Sequence, residues 1–482
     1  MKKRITAVFL VFVFILTGCE KPDAEEIFTD NDDDISAASP VDRIMPSGIT
    51  QEQMNQDVIN QFKKILQDFI IEPGTDNSND PGKFRMVLKH EAGGGAGAGQ
   101  VTCSESMGYG MLMLVYAAAM TDDKNDSFTG NADVKQNLKM LGDTQLTLKH
   151  YFDGMFRSLM NWPTRMGTQI SGRRYLMAWE LLENTAGGSW RDSGSSASNA
   201  TDGDMDMAYA LLLADKQWGS DGDYDYRDYA LKMIQSLWND NVDRSNNSYH
   251  LKVGNWAGTG AAGNSQISRP SDFMLGHLRT FKAADTANDW QLVIDATNNI
   301  IGQITNQQNP RTGLLPGFVF INRSSKVWLA NADADNGSLW NESKSSDHLY
   351  DWNACRVPWR LTTDILLYGD TVISFGASVK RETTLGTTCV KPLYETLLKG
   401  GTNFNGVRGG VAMNGTGGHS WTGSTAYASP AAAAASVYGT PAAMASGWNY
   451  MKGQSRAGDY YGDYINVLCM ITASGNWHAP EK

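Results

Sequence analysis

Along the chain, apolar residues recur at helical spacing far more often than they alternate. Met54, Val58, Phe62, Ile65, Leu66 and Phe69 keep one face over several turns, the period of an amphipathic α-helix. The same pattern predicts helices near 108–121, 132–151, 203–218, 226–239, 288–306, 355–368 and 460–472, separated by clusters of Gly, Asn, Asp and Ser. Strand-type alternation is scarce. About a dozen helices joined by long polar loops predict an all-α chain, arranged as a toroid or a solenoid. No repeat in residue identity is visible, which weighs against a consensus solenoid.

The N-terminus follows a different rule. Lys2, Lys3 and Arg4 precede an apolar run from Ile5 to Leu16, and Leu16-Thr17-Gly18-Cys19 follows. The run falls short of the roughly 20 apolar residues that span a bilayer, so the expectation is a signal peptide over 1–18 ending in a lipobox. Cleavage before Cys19 would leave that thiol for acylation and anchor the protein to a membrane. Residues 19–45 are acidic and poor in large apolar groups, with Asp30, Asp32, Asp33 and Asp34 nearly adjacent, the composition of a solvated tether. The body is expected to run from 46 to 482 as one domain, since no composition break or Pro-rich linker interrupts it. The expected location is the cell envelope, as an outer-membrane lipoprotein on the surface or periplasmic face.

Composition narrows the chemistry. The net charge is -11 without any basic block, so the electrostatic footprint of a nucleic-acid binder is missing. Besides Cys19 the chain carries only Cys103, Cys355, Cys389 and Cys469, with no CxxC spacing and few histidines. Neither a disulfide scaffold, a zinc site nor another metal or cofactor site is expected. The loops, by contrast, carry Trp162, Trp190, Trp256, Tyr350, Trp352 and Trp421 among small polar residues. Sugar rings present apolar faces that stack on indoles and hydroxyls that need polar partners, so such loops lean toward glycans, with packing claiming part of the set.

Two constellations carry candidate chemistry. Glu105 lies in Ser104-Glu105-Ser106-Met107-Gly108-Tyr109-Gly110-Met111, where an apolar helix opens after a Gly-rich loop. A carboxyl there can line a cleft with its proton affinity tuned by burial, or simply complement the helix dipole. Asp202, Asp204 and Asp206 follow Ala200-Thr201 at the head of a second helix that ends near Trp218. Three carboxylates exceed what a cap requires. If Asp202 is not spent on capping, it projects toward the cleft.

The string Ala200-Thr201-Asp202-Gly203-Asp204, with Met207-Ala208 and Trp218 in register, resembles the signature of family 8 of the glycoside hydrolases. Glu105 in its Ser-Glu-x-x-Gly-Tyr-Gly-Met setting is similar to that family's general-acid motif. Pro270-Ser271-Asp272-Phe273, Thr312-Gly313-Leu314-Leu315-Pro316, Arg356-Val357-Pro358-Trp359-Arg360 and Tyr460-Tyr461-Gly462-Asp463 follow in the same order, so the likeness covers residues 50 to 478. It implies an (α/α)6 toroid of six helical hairpins, an open cleft and cleavage with inversion. Two departures matter. Ser106 stands where the family usually has Gly, and Asn353 stands where one branch has an Asp three residues before the arginine, which acts there as base. An amide cannot take a proton from water near neutral pH. The Asn branch is similar to chitosanases and lichenases, whose base is a Glu on the loop ahead of this motif. Glu342 is the only glutamate in that loop, with Asp351 and Asp347 as alternatives.

The resemblance therefore implies that Glu105 protonates the leaving oxygen, that Glu342 activates water and that Asp202 holds the ring at the cleaved subsite. Inversion requires acid and base to stand about 6.5 to 9.5 Å apart. Tyr109, Trp179, Asn353, Arg356 and Tyr461 are the candidates for substrate contact, with a structural ion pair nearly as well supported for Arg356 and core packing the commoner role for a helical Trp such as Trp179. Cys103 and Cys355 each lie two residues from a site position, which leaves a disulfide between them open after export. Mixed-linkage β-glucan, cellulose and chitosan are the expected substrates, cut internally. Xylan, attacked internally or at its reducing end, remains an alternative. A non-catalytic glycan-binding surface lipoprotein or a lyase would share the helices and aromatics but not the acid and base pair.

Overall fold

The computed structural model describes residues 41–75, 80–90, 99–121, 132–184, 187–258, 263–322, 327–330, 347–375, 379–456 and 460–481. Among these are twelve α-helices of eight residues or more. They are α1 (Gln51–Ile65), α2 (Ser104–Thr121), α3 (Leu148–Asn161), α4 (Thr201–Trp218), α5 (Tyr226–Asp240) and α6 (Leu275–Ala284). The second half supplies α7 (Trp290–Asn306), α8 (Val357–Tyr368), α9 (Lys391–Leu398), α10 (Thr425–Tyr438), α11 (Pro441–Lys452) and α12 (Tyr460–Ala473).

Even-numbered helices pack on one another in the order α2, α4, α6, α8, α10, α12, and α12 returns to α2. That contact closes the ring, so the arrangement is a toroid and not a solenoid. Odd-numbered helices lie outside, each against an inner neighbour. Six hairpins, each of one outer and one inner helix, make the (α/α)6 architecture.

Sequence explains the two layers. An inner helix touches protein on every side, and α2, α4, α10 and α12 are buried along nearly their whole length. Apart from the polar residues gathered toward their N-terminal ends, their composition is accordingly largely apolar or small, as in the alanine run of α10. Outer helices keep a polar face: α1 buries Met54, Val58, Ile59, Phe62 and Ile65, with Gln61 beside them, and exposes Glu52, Gln53, Gln56 and Asn60. Local chemistry sets their starts, with reciprocal capping by Thr50 and Gln53 at α1 and by Thr147 and His150 at α3.

Strand structure among the described residues is confined to short antiparallel ladders. The one that matters here pairs Gln100–Cys103 with Glu180–Glu183, which in turn pairs with Trp190–Asp192. It feeds directly into α2 and fixes where that helix begins.

Two expectations need correction. The stretch 132–151 is not one helix: a single turn at Ala132–Lys135 gives way to a hairpin at Met140–Gln145 before α3 starts at Leu148. Leu138, Leu141, Leu146 and Leu148 are all buried, but from different pieces of backbone and not from one helical face. The body also begins before residue 46. Val41 and Ile44 pack against the core, and Arg43 Nη1 donates to the Ala473 carbonyl at 3.1 Å. The proposed leader, Cys19 and the start of the tether lie outside the described residues. No described helix is long and apolar enough to cross a membrane.

Candidate active site

The inner helices all run from the same end of the ring, and the chemistry collects there. Glu105 is in the first turn of α2, Asp202 in the first turn of α4, and Arg356 immediately precedes α8. Ser271 and Asp272 form the turn ahead of α6, Tyr427 opens α10 and Tyr461 opens α12.

Glu105 and Asp202 are brought together by two glycines. A Cβ on Gly203 would stand 2.3 Å from the Ser104 carbonyl carbon and 2.7 Å from the Glu105 nitrogen. A Cβ on Gly108 would stand 2.6 Å from Asp206 Cβ. Only glycine lets the α2 and α4 backbones touch at this crossing. The Ser104 N–H donates to the Trp179 carbonyl at 2.7 Å, which ties the head of α2 to the neighbouring loop.

None of the three aspartates is idle at the start of α4. The cap residue is Ala200, which has no side-chain bond to the helix. Asp202 Oδ1 does accept from the Gly203 N–H at 3.0 Å, but its main partners are arginines. Arg356 Nη1 donates to Asp202 Oδ2 at 2.7 Å and also to Glu105 Oε2. Arg269 pairs with Asp202 Oδ1 at 2.8 Å and donates from Nε to Asp272 Oδ1 at 2.8 Å. Arg356 Nη2 donates to Ser271 Oγ at 2.9 Å. Asp204 accepts from the Met177 N–H at 2.9 Å and from Asn199 Nδ2 at 2.8 Å, pinning the loop that carries Trp179. Asp206 faces the interior, where Arg360 grips both its oxygens and His277 Nε2 lies 2.9 Å from Oδ1.

The two front carboxyl groups are driven to opposite protonation states. Burial pushes Glu105 up to about 7 despite Arg356 beside it, and the Asp202 charge adds to the rise. Burial would raise Asp202 too, but Arg269 and Arg356 outweigh it and hold that carboxylate well below the usual range. Near neutrality one group keeps its proton and its neighbour is ionised. Neighbouring carboxyl groups whose proton affinities are driven apart mark an acid and an electrostatic partner.

Beside them is an aromatic surface. Trp352 and Trp421 are each 42% exposed, with ring centroids 5.7 Å apart, and His419 stacks on Trp421 at 4.6 Å. Beneath them Asp351 Oδ1 accepts from Tyr427 OH at 2.6 Å and lies 2.8 Å from His419 Nε2. Tyr461 OH donates to the Trp352 carbonyl, and the Arg356 guanidinium lies over the Tyr461 ring at 5.7 Å. The aromatic surface is thus joined to the carboxyl pair.

Several anticipated residues sit differently. Tyr109 is wholly buried, and its hydroxyl accepts from Arg356 Nη1 at 3.3 Å; it supports the arginine and has no free face for substrate. Arg356 is 1% exposed, so its role here is to hold carboxylates. Trp179 is half-buried and lies in a bend, not on a helix. Asn353 is half-buried, and its backbone carbonyl, not its amide, faces Arg356 Nε at 3.4 Å. Cys103 and Cys355 are separate buried thiols; Cys355 Sγ contacts the Trp352 carbonyl at 2.9 Å instead of another sulfur. Trp162, Trp190 and Tyr350 are packing residues. Asp347 is buried, while Glu342 lies outside the described residues.

Sequence reasoning passed over Arg269 and the role of Asp272, although Pro270-Ser271-Asp272-Phe273 stood out as a string. The partnership of Asp351 with His419 and Tyr427 left no local signal, because the three are brought together only by the ring.

A carboxyl group that holds its proton at neutral pH beside an ionised one is suited to protonating the oxygen of an acetal. With indole faces alongside, the acetal is glycosidic, and the molecule is a glycosidase. The profile of the glycosyl hydrolases family 8 matches residues 140–353. A β-glucanase of Niallia circulans is 31% identical over 437 residues, covering 90% of this chain and 88% of the relative. An endoglucanase of Bacillus sp. (strain KSM-330) is 30% identical over 439 residues, covering 91% and 80% respectively. Among solved structures, the apo β-1,3-1,4-glucanase from Paenibacillus sp. X4 superposes with a TM-score of 0.68 at 29% identity, over 92% of this chain and 97% of that one. The chain belongs to glycosyl hydrolase family 8 and is an endo-acting glycoside hydrolase.

Proposed function

We propose that this hydrolase cuts internal β-1,4 bonds of mixed-linkage β-glucan with inversion, using Glu105 as general acid. The observation that carries the reading is the Glu105 and Asp202 pair on one arginine nitrogen, a geometry in which burial pushes the Glu105 carboxyl up while Arg269 and Arg356 hold Asp202 down. The β-glucanase names of the relatives support the choice of glucan over chitosan or xylan.

The reaction balances with one water. Glu105 gives its proton to the glycosidic oxygen as the bond from anomeric carbon to oxygen breaks, and the electron pair stays on that oxygen. Water attacks the same carbon from the opposite face, and a second carboxylate takes its proton. Asp202 supplies fixed negative charge beside the carbon as positive charge develops there. Glu342 is the proposed base, supported by the neutral amide at Asn353 and by its place as the one glutamate of the loop ahead of that residue. Asp351 is the weaker candidate, since His419 and Tyr427 already occupy Oδ1. Trp352 and Trp421 offer stacking faces to sugar rings, with Tyr461 at their edge.

The basic start, the apolar run and the lipobox support acylation of Cys19 and an outer-membrane lipoprotein. Incorporation of labelled palmitate that disappears in C19A would support the anchor; equal labelling of both proteins would refute it.

For the activity, reducing-sugar release is measured on barley β-glucan, carboxymethylcellulose, chitosan and xylan with wild type, E105Q and E342Q. Fastest release from barley β-glucan, abolished in both variants, is the expected result. Undiminished activity in E105Q would overturn the acid assignment. Full activity in E342Q would move the base to Asp351 or Asp347. NMR of the first product anomer distinguishes inversion from retention.

A further inference from the structure

Five charged side chains form one unbroken series of contacts drawn from four segments of the ring. Asp272 Oδ1 meets Arg269 Nε at 2.8 Å, Arg269 Nη2 meets Asp202 Oδ1 at 2.8 Å, and Asp202 Oδ2 meets Arg356 Nη1 at 2.7 Å. Arg356 Nη1 then reaches Glu105. Asp272, Asp202 and Arg356 are each 1% exposed, and Glu105 is 9% exposed.

A buried cluster is penalised for any uncompensated charge. Here three carboxyl groups face two guanidinium groups, and guanidinium does not release its proton in a protein. Neutrality therefore requires one proton on one carboxyl. Asp202 stands between both arginines and is the least able to hold it. The contest is between the two ends. Asp272 Oδ1 has Arg269 to itself at Nε and also accepts from Ser271 Oγ at 3.2 Å, although Oδ2 lacks a partner among the described residues. Glu105 must share its arginine nitrogen with Asp202.

We propose that Asp272 is a positioning residue for the catalytic proton: its charge engages Arg269, so that Asp202 compensates Arg356 and the proton stays on Glu105. With Asp272 neutral, two carboxylates would balance two guanidinium groups, and Glu105 would ionise at a lower pH. This rests on Glu105 being the general acid.

Among the described residues, the other titratable groups around Glu105 do not take over that role. The phenols of Tyr109 on α2 and of Tyr460 and Tyr461 on α12 are pushed up by burial, as are the thiols of Cys103 and Cys355. They remain neutral through the working range.

The test is the pH dependence of kcat for the full chain on barley β-glucan, in wild type, D272N, D272E and E105Q. In D272N the alkaline limb is expected to move down by about one pH unit or more, with KM within about twofold. D272E keeps the charge and is expected to hold the limb near its wild-type position. A uniform fall of kcat in D272N with the limb unmoved would overturn the proposal and reduce Asp272 to a packing role. Should D272N not fold, D272S removes the same charge with less volume and carries the same expectation. E105Q separates the two readings. Full activity there means the acid is elsewhere, whereas an inactive E105Q together with an unmoved D272N limb defeats only the role of Asp272.

Discussion

Replacing Gly203 by alanine puts a methyl group where backbone already stands. Its carbon would lie 2.3 Å from the carbonyl carbon of Ser104, 2.5 Å from that carbonyl oxygen and 2.7 Å from the Glu105 nitrogen. Ordinary carbon contacts begin at about 3.5 Å, so α2 and α4 must part by roughly 1 Å. Backbone atoms at the head of a helix cannot rotate aside as a flexible side chain would. Overpacking of this kind costs about 1–3 kcal/mol of stability. The larger effect falls on chemistry, because the parting separates Glu105 from Asp202 and from their shared Arg356. A misplacement of about 1 Å in a reacting group can cost about a hundredfold in rate. G203A is therefore expected to fold with a lower Tm and to lose about a hundredfold in kcat on barley β-glucan. Thermal melting and initial rates at saturating polymer measure the two effects. A G203A protein within threefold of wild-type kcat would refute the argument that this crossing aligns the carboxyl pair.

Other expectations follow from the same geometry. Activity should fall as pH rises through about 7, since Glu105 is raised to that value and catalyses only while protonated; a pH profile of kcat flat to pH 9 would contradict it. E105Q should lose about a hundred- to ten-thousandfold in kcat while still sedimenting with insoluble glucan. W352A and W421A should each raise KM about two- to tenfold with little change in kcat, by loss of a stacking face; unchanged KM in both would remove the aromatic surface from substrate binding. Dithiothreitol should leave the Tm unchanged, because Cys103 and Cys355 are free thiols, and a drop of several degrees would show a disulfide between them.

Legibility in the sequence tracked how each helix is buried. Amphipathic or clearly bounded helices were readable to within a few residues: the expectation of 226–239 meets Tyr226–Asp240, and 288–306 meets Trp290–Asn306. α10 was not readable, because a helix surrounded by protein has no polar face to set a period, and Pro430 inside it looks like a breaker. α6 and α9 are short and begin without a side-chain cap bond, which removes the usual start signal. In the site, Glu105, Asp202 and Arg356 each lay in a recognisable string. Arg269 did not, since its importance comes from Asp202 across the ring. His419 and Asp351 are 68 residues apart, and no local pattern announces a contact of that range.

Closure of the ring by α12 also has a consequence in time. Arg43 reaches the carbonyl of Ala473, a separation of 430 residues, and Tyr461 completes a site that Glu105 opens. At a synthesis rate of about 5–20 residues per second, the ribosome delivers Tyr461 roughly 20 to 70 s after Glu105. Until the last helix docks, the first inner helix has an apolar flank without a neighbour, and the nascent chain can neither close its ring nor assemble its chemistry. The enzyme is thus silent throughout its own synthesis, and a ribosome that stalls before Tyr460 releases an open ring with an exposed seam, a substrate for proteases rather than a slower catalyst.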